Sequence, residues 1–392
     1  MLPPHLAHLP SPPAEAVALS AELQKHIRSS IEASGGWIPF ARFMELALYA
    51  PGFGYYSGGA TKLGAGGDFV TAPELSALFA RSLARQVAQL IENGIPDIIE
   101  LGAGSGALAR DLLQTLAALK RLPERYLILE LSADLRERQR HRIAEAVPDI
   151  IDRVLWLDTL PEKMDAVVIA NEVVDALPTH IVRARGNGLI EEAGVGVGAR
   201  GEIFERIYRP AREPLLTAAQ ALDLPADYET EINLAAPALV KSLAERIERG
   251  ALLFFDYGFP AAEYYHPQRF RGTLMCHYRH HAHDDPLVLV GLQDITAHVN
   301  FTAIADAAIE AGHAVLGYTT QAHFLINCGI TDILAETSVL DTRAWTPLAA
   351  AAQKLLSPAE MGELFKVIAL GRGLDVPLLG FTRGDRAHTL CL

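Results

Sequence analysis

The chain has 392 residues, half of them hydrophobic and 21% charged, which suffices for a core with insertions or for two domains. A formal net charge of −13 argues against a nucleic-acid phosphate backbone as the main partner, and no apolar run reaches the ~20 residues of a membrane span. The opening MLPPHLAHLPSPP has neither the basic nor the apolar region of a secretory signal, and Cys276, Cys328 and Cys391 show no CxxC spacing, so the expected compartment is the reducing cytoplasm.

From Ala14 to Ser34 the pattern is helical, and a second helix is expected after Pro39. A Gly- and Tyr-rich loop, Tyr49 to Asp68, leads into GGDFVTAPELS. Pro73 suits a first helical turn, and Leu75, Leu78, Phe79, Leu83, Val87 and Leu90 follow at helical spacing. From Pro96 short apolar runs alternate with helical text: DIIEL (Asp97–Leu101), YLILEL (Tyr126–Leu131), VLWLD (Val154–Asp158), AVVIANE (Ala166–Glu172) and ALLFFDYG (Ala251–Gly258). Strands apolar on both faces and separated by amphipathic helices predict a parallel sheet covered on both sides. FKVIALGRG and PLLGFTRG are separated too briefly for a crossover, so an antiparallel hairpin is expected at the end. The fold class is therefore α/β, a class I Rossmann-like core with a mostly parallel sheet and a terminal antiparallel strand. The expected organisation is an N-terminal helical region with a cofactor-covering loop (1–95) and a core (96–392). The core carries insertions at about 180–237, read as antiparallel strands around Gly-Asn-Gly, and at about 259–300. Both follow the carboxyl ends of strands, where α/β sheets bind ligands, and are candidate substrate caps.

The strongest local signal is ELGAGSGALARD. A strand runs into Gly102, Gly104 and Gly106 and a helix follows, letting a ligand lie against bare backbone at the helix amino end. Ala107 also completes a dinucleotide pattern, so the loop alone does not separate S-adenosylmethionine from NAD. Glu130 closes the second strand, where a carboxylate can accept both ribose hydroxyls of either cofactor. Asp158 closes the third, where a carboxylate can receive the adenine amino group. Asn171, Glu172 and Asp175 follow the fourth, a polar cluster that methyl transfer uses and hydride transfer does not need. Glu100, costly if buried alone, would be satisfied by the methionine ammonium or else by a neighbouring loop amide.

With these residues in place the chain resembles the MidA-type methyltransferases, a family that includes the mitochondrial complex I assembly methyltransferase and many bacterial members. The resemblance runs in order through LYAPGFGYYSGG, GGDFVTAPELS, ELGAGSGALARDLL, LILELSADLRERQ, VVIANEVVDALPTHIV, LLFFDYGF, RGTLMCHYRHHAHDDPL, DITAHVNFTAI and FKVIALGRG. Many members carry Gly-Pro-Gly-Arg-Gly where this chain has Gly102-Ala103-Gly104-Ser105-Gly106, so the glycines are kept. The resemblance implies S-adenosylmethionine as cofactor and a protein substrate, an arginine of a respiratory complex I subunit in the mitochondrial member; a homodimer is a candidate assembly.

An arginine acceptor stays charged, its pKa being above ~12. Carboxylates then help by gripping the guanidinium and taking a proton after transfer, and Glu172 and Asp175 are the candidates, with Asn171 as orienter. Asp175 serves equally as a turn acceptor before Leu177-Pro178. Asp68 and Thr71 are placed near the methionine end, although Thr71 and Glu74 equally suit a helix cap. His277, Tyr278 and Asp256 are candidates for the substrate channel, with His277 as a catalytic candidate in a loop over that channel and Asp256 alternatively a strand-end cap. CHYRHHAHDD matches no standard zinc spacing, and no metal is expected.

Overall fold

The computed structural model describes residues 6–58, 71–198 and 204–390, and the chain divides into two compact units. One is made of Val70–Val174, Pro237–Ala261 and Val299–Leu392; the other gathers Met1–Phe69, Asp175–Ala236 and Ala262–His298. The boundary expected at residue 95 therefore falls elsewhere. Helix Leu78–Glu92 buries Phe79, Leu83, Val87 and Leu90 in the core of the first unit, and the two insertions group with the N-terminal segment.

The first unit carries the sheet predicted from the apolar runs. Apart from the two-residue strand Val299–Asn300, which pairs parallel with the end of Ile247–Phe259, its main strands are β1 (Asp97–Leu101), β2 (Arg125–Leu129), β3 (Val154–Leu157), β4 (Met164–Asn171), β5 (Ile247–Phe259), β6 (Ala314–Thr320) and β7 (Phe365–Arg372). They lie in the order β3-β2-β1-β4-β5-β7-β6, the first five parallel and β7 antiparallel to both its neighbours. Leu101 is in register with both Leu129 and Ala170, so the carboxyl ends of β1, β2 and β4 finish side by side. Val168, Ile169, Leu252, Leu253, Phe254 and Phe255 are all buried, as a sheet covered on both faces requires. Phe79, Phe255, Phe324 and Phe381 form a chain of edge-on ring contacts through the core at 5.3, 5.1 and 5.5 Å.

The expected terminal hairpin is not formed. PLLGFTRG makes a single helical turn, Leu379–Phe381, and β7 pairs instead with β5 and with β6, which the sequence reading passed over. The reason is packing: Leu378 and Phe381 are buried, and the Phe381 ring lies so close to Gly317 that a Cβ there would meet it at 2.3 Å. The helix expected from Pro73 is also broken, into Ala72–Leu75 and Leu78–Glu92, by the extended Ser76 (φ −173, ψ 167).

The second unit is antiparallel. Strands Ile38–Pro39, His180–Ala184, Ile190–Val197, Phe204–Pro210 and Tyr228–Ile232 form one sheet, with the Gly-Asn-Gly segment turning between the second and third as expected. Leu23, Ile27 and Ile31 of helix Ala14–Ala33 and Phe40, Phe43 and Met44 of helix Phe40–Tyr49 pack with Ile181, Val195 and Phe204. Met275–Tyr278, His281–His283 and Asp294–Thr296 form a second, small sheet. The histidine-rich stretch is thus a hairpin rather than the expected loop. Arg279 and His280 (φ 46 and 65) make the two-residue turn with positive φ that matches strand twist. Among the described residues no helix is long and apolar enough to cross a membrane.

Candidate active site

Most of the residues singled out from sequence sit at the carboxyl edge of the parallel sheet. β1 delivers Glu100, Leu101 and then the loop Gly102, Gly104 and Gly106, whose φ values are +61, +53 and +80. Such left-handed backbone favours glycine, and at Gly106 a Cβ would also press on Gln139 at 3.3 Å. Helix Ala107–Ala118 starts at once, so its free amide groups and positive dipole end face the loop.

Glu100 is buried and accepts a hydrogen bond from the Tyr126 hydroxyl at 2.7 Å. Burial pushes its carboxyl up to about 7; the Tyr126 bond opposes this and the neighbouring Glu130 charge reinforces it. A carboxyl so placed is held half-protonated near neutrality and would gain from a cation.

Glu130, at the tip of β2, is 8% exposed. Its Oε1 accepts from the Ser132 amide at 2.9 Å and its Oε2 from the Gln139 amide at 3.1 Å. Burial raises its pKa while these donors hold it down. With the Leu131 backbone amide as a third donor, the carboxylate still has lone-pair capacity to offer. Asp158, at the tip of β3, has a side chain 88% exposed and paired with Arg136 at 2.7 Å. Arg136 also donates to the Glu130 carbonyl at 2.6 Å and the Leu157 carbonyl at 2.7 Å, clamping the ends of β2 and β3 together.

β4 ends in Asn171 and Glu172. Glu172 has φ +54, a left-handed conformation that costs a residue with a side chain of order 1 kcal/mol or more. Its Oε1 accepts from the Asn171 amide at 3.1 Å and the Ala72 backbone N–H at 3.4 Å. Asn171 Oδ1 is a buried acceptor with no donor among the described residues. Asp256, 1% exposed on β5, accepts from the Val174 amide at 3.0 Å and from its own neighbour Tyr257 at 3.0 Å, which is the strand-end capping role.

Thr71 precedes helix Ala72–Leu75 but its side chain makes no cap bond; its carbonyl accepts from the Glu74 amide at 3.0 Å. The Glu74 carboxylate goes instead to the Ser105 hydroxyl in the glycine loop and to Arg142. Asp68 lies outside the described residues.

Asp175, His277 and Tyr278 belong to the antiparallel unit. Asp175 is buried and its carbonyl accepts from the Ala297 amide at 3.0 Å. Beside it are Tyr49, hydrogen-bonded to the Ala176 carbonyl at 3.0 Å, and Tyr56, hydrogen-bonded to Asp294 at 2.9 Å. Burial first, then the charges of Asp294 and Asp175, push the Tyr56 phenol well above its ordinary range. His277 is half-buried and Tyr278 buried in the hairpin strand. Sequence reading missed Tyr126, Arg136, Gln139 and Arg142. In DLRERQRHRIAEA only Gln139 and Ile143, one helical turn apart, are buried, a stripe hidden by the surrounding charges.

The sheet edge thus offers the Glu100 and Glu130 carboxyls, a left-handed glycine loop, a helix amino end and an amide oxygen with no donor among the described residues. That donor and acceptor set fits an adenosine carrying an amino acid, with its ammonium, carboxylate and ribose. A family model described as "Putative S-adenosyl-L-methionine-dependent methyltransferase" matches residues 78–319. Two crystal structures from Burkholderia thailandensis are each 51% identical to this chain, covering 97% of it and 100% of their own chains. The one bound to S-adenosyl-homocysteine gives a TM-score of 0.94, and the native one 0.91. Among curated relatives, the mitochondrial "Protein arginine methyltransferase NDUFAF7 homolog" of Drosophila melanogaster is 28% identical over 92% of this chain and 88% of its own length. The NDUFAF7 of Danio rerio is 28% identical over 90% and 87% respectively.

Proposed function

The chain belongs to this family of S-adenosyl-L-methionine-dependent methyltransferases, and from that premise we propose that it methylates a guanidinium nitrogen of a protein arginine. The observation that carries the acceptor is the near end-to-end match with relatives named protein arginine methyltransferases. A respiratory complex I subunit is the first acceptor to try.

The cofactor, when bound, supplies an electrophilic methyl group on a sulfonium. Glu130 accepts the ribose hydroxyls with its remaining lone pairs. The glycine loop and the first amides of Ala107–Ala118 receive the carboxylate, since a helix amino end favours an anion. Glu100 faces the ammonium; the added positive charge draws its proton off and offsets its burial. Asn171 Oδ1, which has no donor among the described residues, accepts from the ammonium or from the acceptor's N–H, and Leu131, 80% exposed beside Glu130, gives the adenine an apolar face. Asp158 stays with Arg136 as part of the strand clamp.

The reaction is an in-line displacement, so the protein gains chiefly by holding nitrogen, methyl carbon and sulfur in line. The Glu172 carboxylate, fixed by Asn171 and the Ala72 amide, grips the planar guanidinium and points one nitrogen at the methyl. As the N–C bond forms and the C–S bond breaks, that nitrogen loses a proton to Glu172, which passes it to water. The methylated guanidinium keeps a single positive charge.

The test is to incubate purified protein with labelled S-adenosylmethionine and lysate from a strain lacking it. One labelled polypeptide whose hydrolysate carries the label in methylarginine is expected. Label in another amino acid, or only in the small-molecule fraction, would overturn the acceptor and leave the methyltransferase assignment standing.

A further inference from the structure

Gln139 sits on helix Ala133–Ala146, a helix otherwise dominated by exposed charges, and is wholly buried. A buried primary amide is expensive unless each of its groups finds a partner. Here each does, and the partners are telling. Its Nε2 donates to the Gly104 carbonyl, in the middle of the glycine loop, at 2.9 Å, and to Glu130 Oε2 at 3.1 Å. Its Oε1 accepts from the Trp156 indole N–H on β3 at 2.9 Å. A carbonyl and a carboxylate can only accept, and an indole can only donate, so the amide has one workable orientation. The same residue forms the floor on which Gly106 packs, since a Cβ there would meet Gln139 Cα at 3.3 Å. One side chain thus ties together the loop after β1, the carboxylate after β2 and the ring on β3.

We propose that Gln139 is a positioning residue for the cofactor: it fixes the rotamer of Glu130 and the backbone of the glycine loop so that the ribose meets an acceptor already aimed. This rests on the reading of Glu130 as the ribose acceptor. Without Gln139 the carboxylate keeps the Ser132 and Leu131 backbone amides but loses its side-chain donor at Oε2, its rotamer is loosened, and the Gly104 carbonyl loses its donor. The charged form of Glu130 also loses one of the donors that hold its pKa down, so the effect has a pH signature.

The full-length protein is titrated calorimetrically with 5′-methylthioadenosine and with its 2′,3′-dideoxy analogue. The ratio of the two dissociation constants isolates the ribose hydroxyls. In the native protein that ratio is expected to be roughly a hundredfold, and in Gln139→Leu about tenfold or less. The pH below which the ribose-containing ligand loses affinity should move upward in Gln139→Leu. Trp156→Phe leaves Gln139 in place but removes the donor that orients it, and should lower the ratio by a smaller factor in a fully folded protein. A purely structural residue would weaken both ligands equally; an unchanged ratio in both variants, with both ligands weakened together or not at all, overturns the inference. Glu130→Ala separates the two levels. If it abolishes the ribose dependence while Gln139→Leu preserves it, only the positioning role falls. If Glu130→Ala preserves it too, the ribose reading falls and the role of Gln139 with it.

Discussion

Glu231 in the antiparallel unit and Glu130 in the sheet unit are both buried glutamates, 3% and 8% exposed, but they are satisfied differently. Glu231 accepts from the Thr273 amide at 2.9 Å, the Thr273 hydroxyl at 3.0 Å, the Leu274 amide at 3.1 Å and the Tyr264 hydroxyl at 3.4 Å. It holds the segment leading into the histidine hairpin to strand Tyr228–Ile232, and Gly272 is required where a Cβ would strike its carboxylate at 2.2 Å. Glu130 has donors from Ser132, Gln139 and the Leu131 backbone, fewer than Glu231, and stands beside a loop of left-handed glycines. A carboxylate saturated by its own fold is a fastener; one left with spare lone pairs at a strand tip is a receptor. The burial figures alone do not separate them. The donor list does.

Substitutions can break that contrast. The largest effect expected is on Glu231→Ala, which strands two backbone amides and should cost ~3–5 kcal/mol of stability, measured by urea unfolding. Affinity for S-adenosylhomocysteine, measured in the folded fraction, should stay within about twofold. A large loss of affinity at unchanged stability would make Glu231 a receptor after all. Next comes Glu172→Gln, expected to lower kcat roughly a hundredfold with little change in the cofactor KM. A rise in KM at constant kcat would move Glu172 from the acceptor to the cofactor.

The pH dependence of Glu100 sharpens the same contrast. Its folded pKa, about 7, lies above the ordinary 4.5, so the folded state binds the proton more tightly than the unfolded chain. The stability this contributes is present below 4.5 and is lost as pH rises through about 7, by up to ~3 kcal/mol. Glu100→Gln should flatten the fall in stability between pH 5 and 8 when ligand is absent, and parallel curves would refute it. The smallest effect expected is for Arg136→Met. Loss of the strand clamp should cost ~1 kcal/mol in unfolding experiments, because Asp158 is exposed and its pairing weak. A loss of several kcal/mol would show the clamp to be a main support of the sheet edge.

The two units were also unequally legible. β1 to β5 could be read because each is a short apolar run, with β1, β4 and β5 buried on both faces and periodic helices following β1 and β2, although β3 at the edge leaves Leu155 exposed. The edge of the sheet could not. Gly317 interrupts the text of β6, and PLLGFTRG looks like a strand although Phe381 needs a helical turn to reach the core. In the antiparallel unit the hairpin around Asn187 is local and was foreseen. The pairing of Ile38 with Val195 joins residues far apart in sequence, and no local pattern encodes it. At the site, glycines and carboxylates at strand ends were visible as chemistry-bearing types. Gln139 was not, because its importance lies in partners that only the folded chain supplies.

The position of β7 has a consequence for synthesis. β7 is the last strand of the sheet in sequence, yet it lies between β5 and β6 and supplies the hydrogen-bonding partner of each. While the ribosome is still adding residues before Phe365, β5 presents an open apolar edge and β6 has no place in the sheet. Such a nascent chain offers the kind of unpaired strand that templates aggregation. Translational pausing in this stretch, or a stop codon just ahead of it, should therefore burden chaperones heavily.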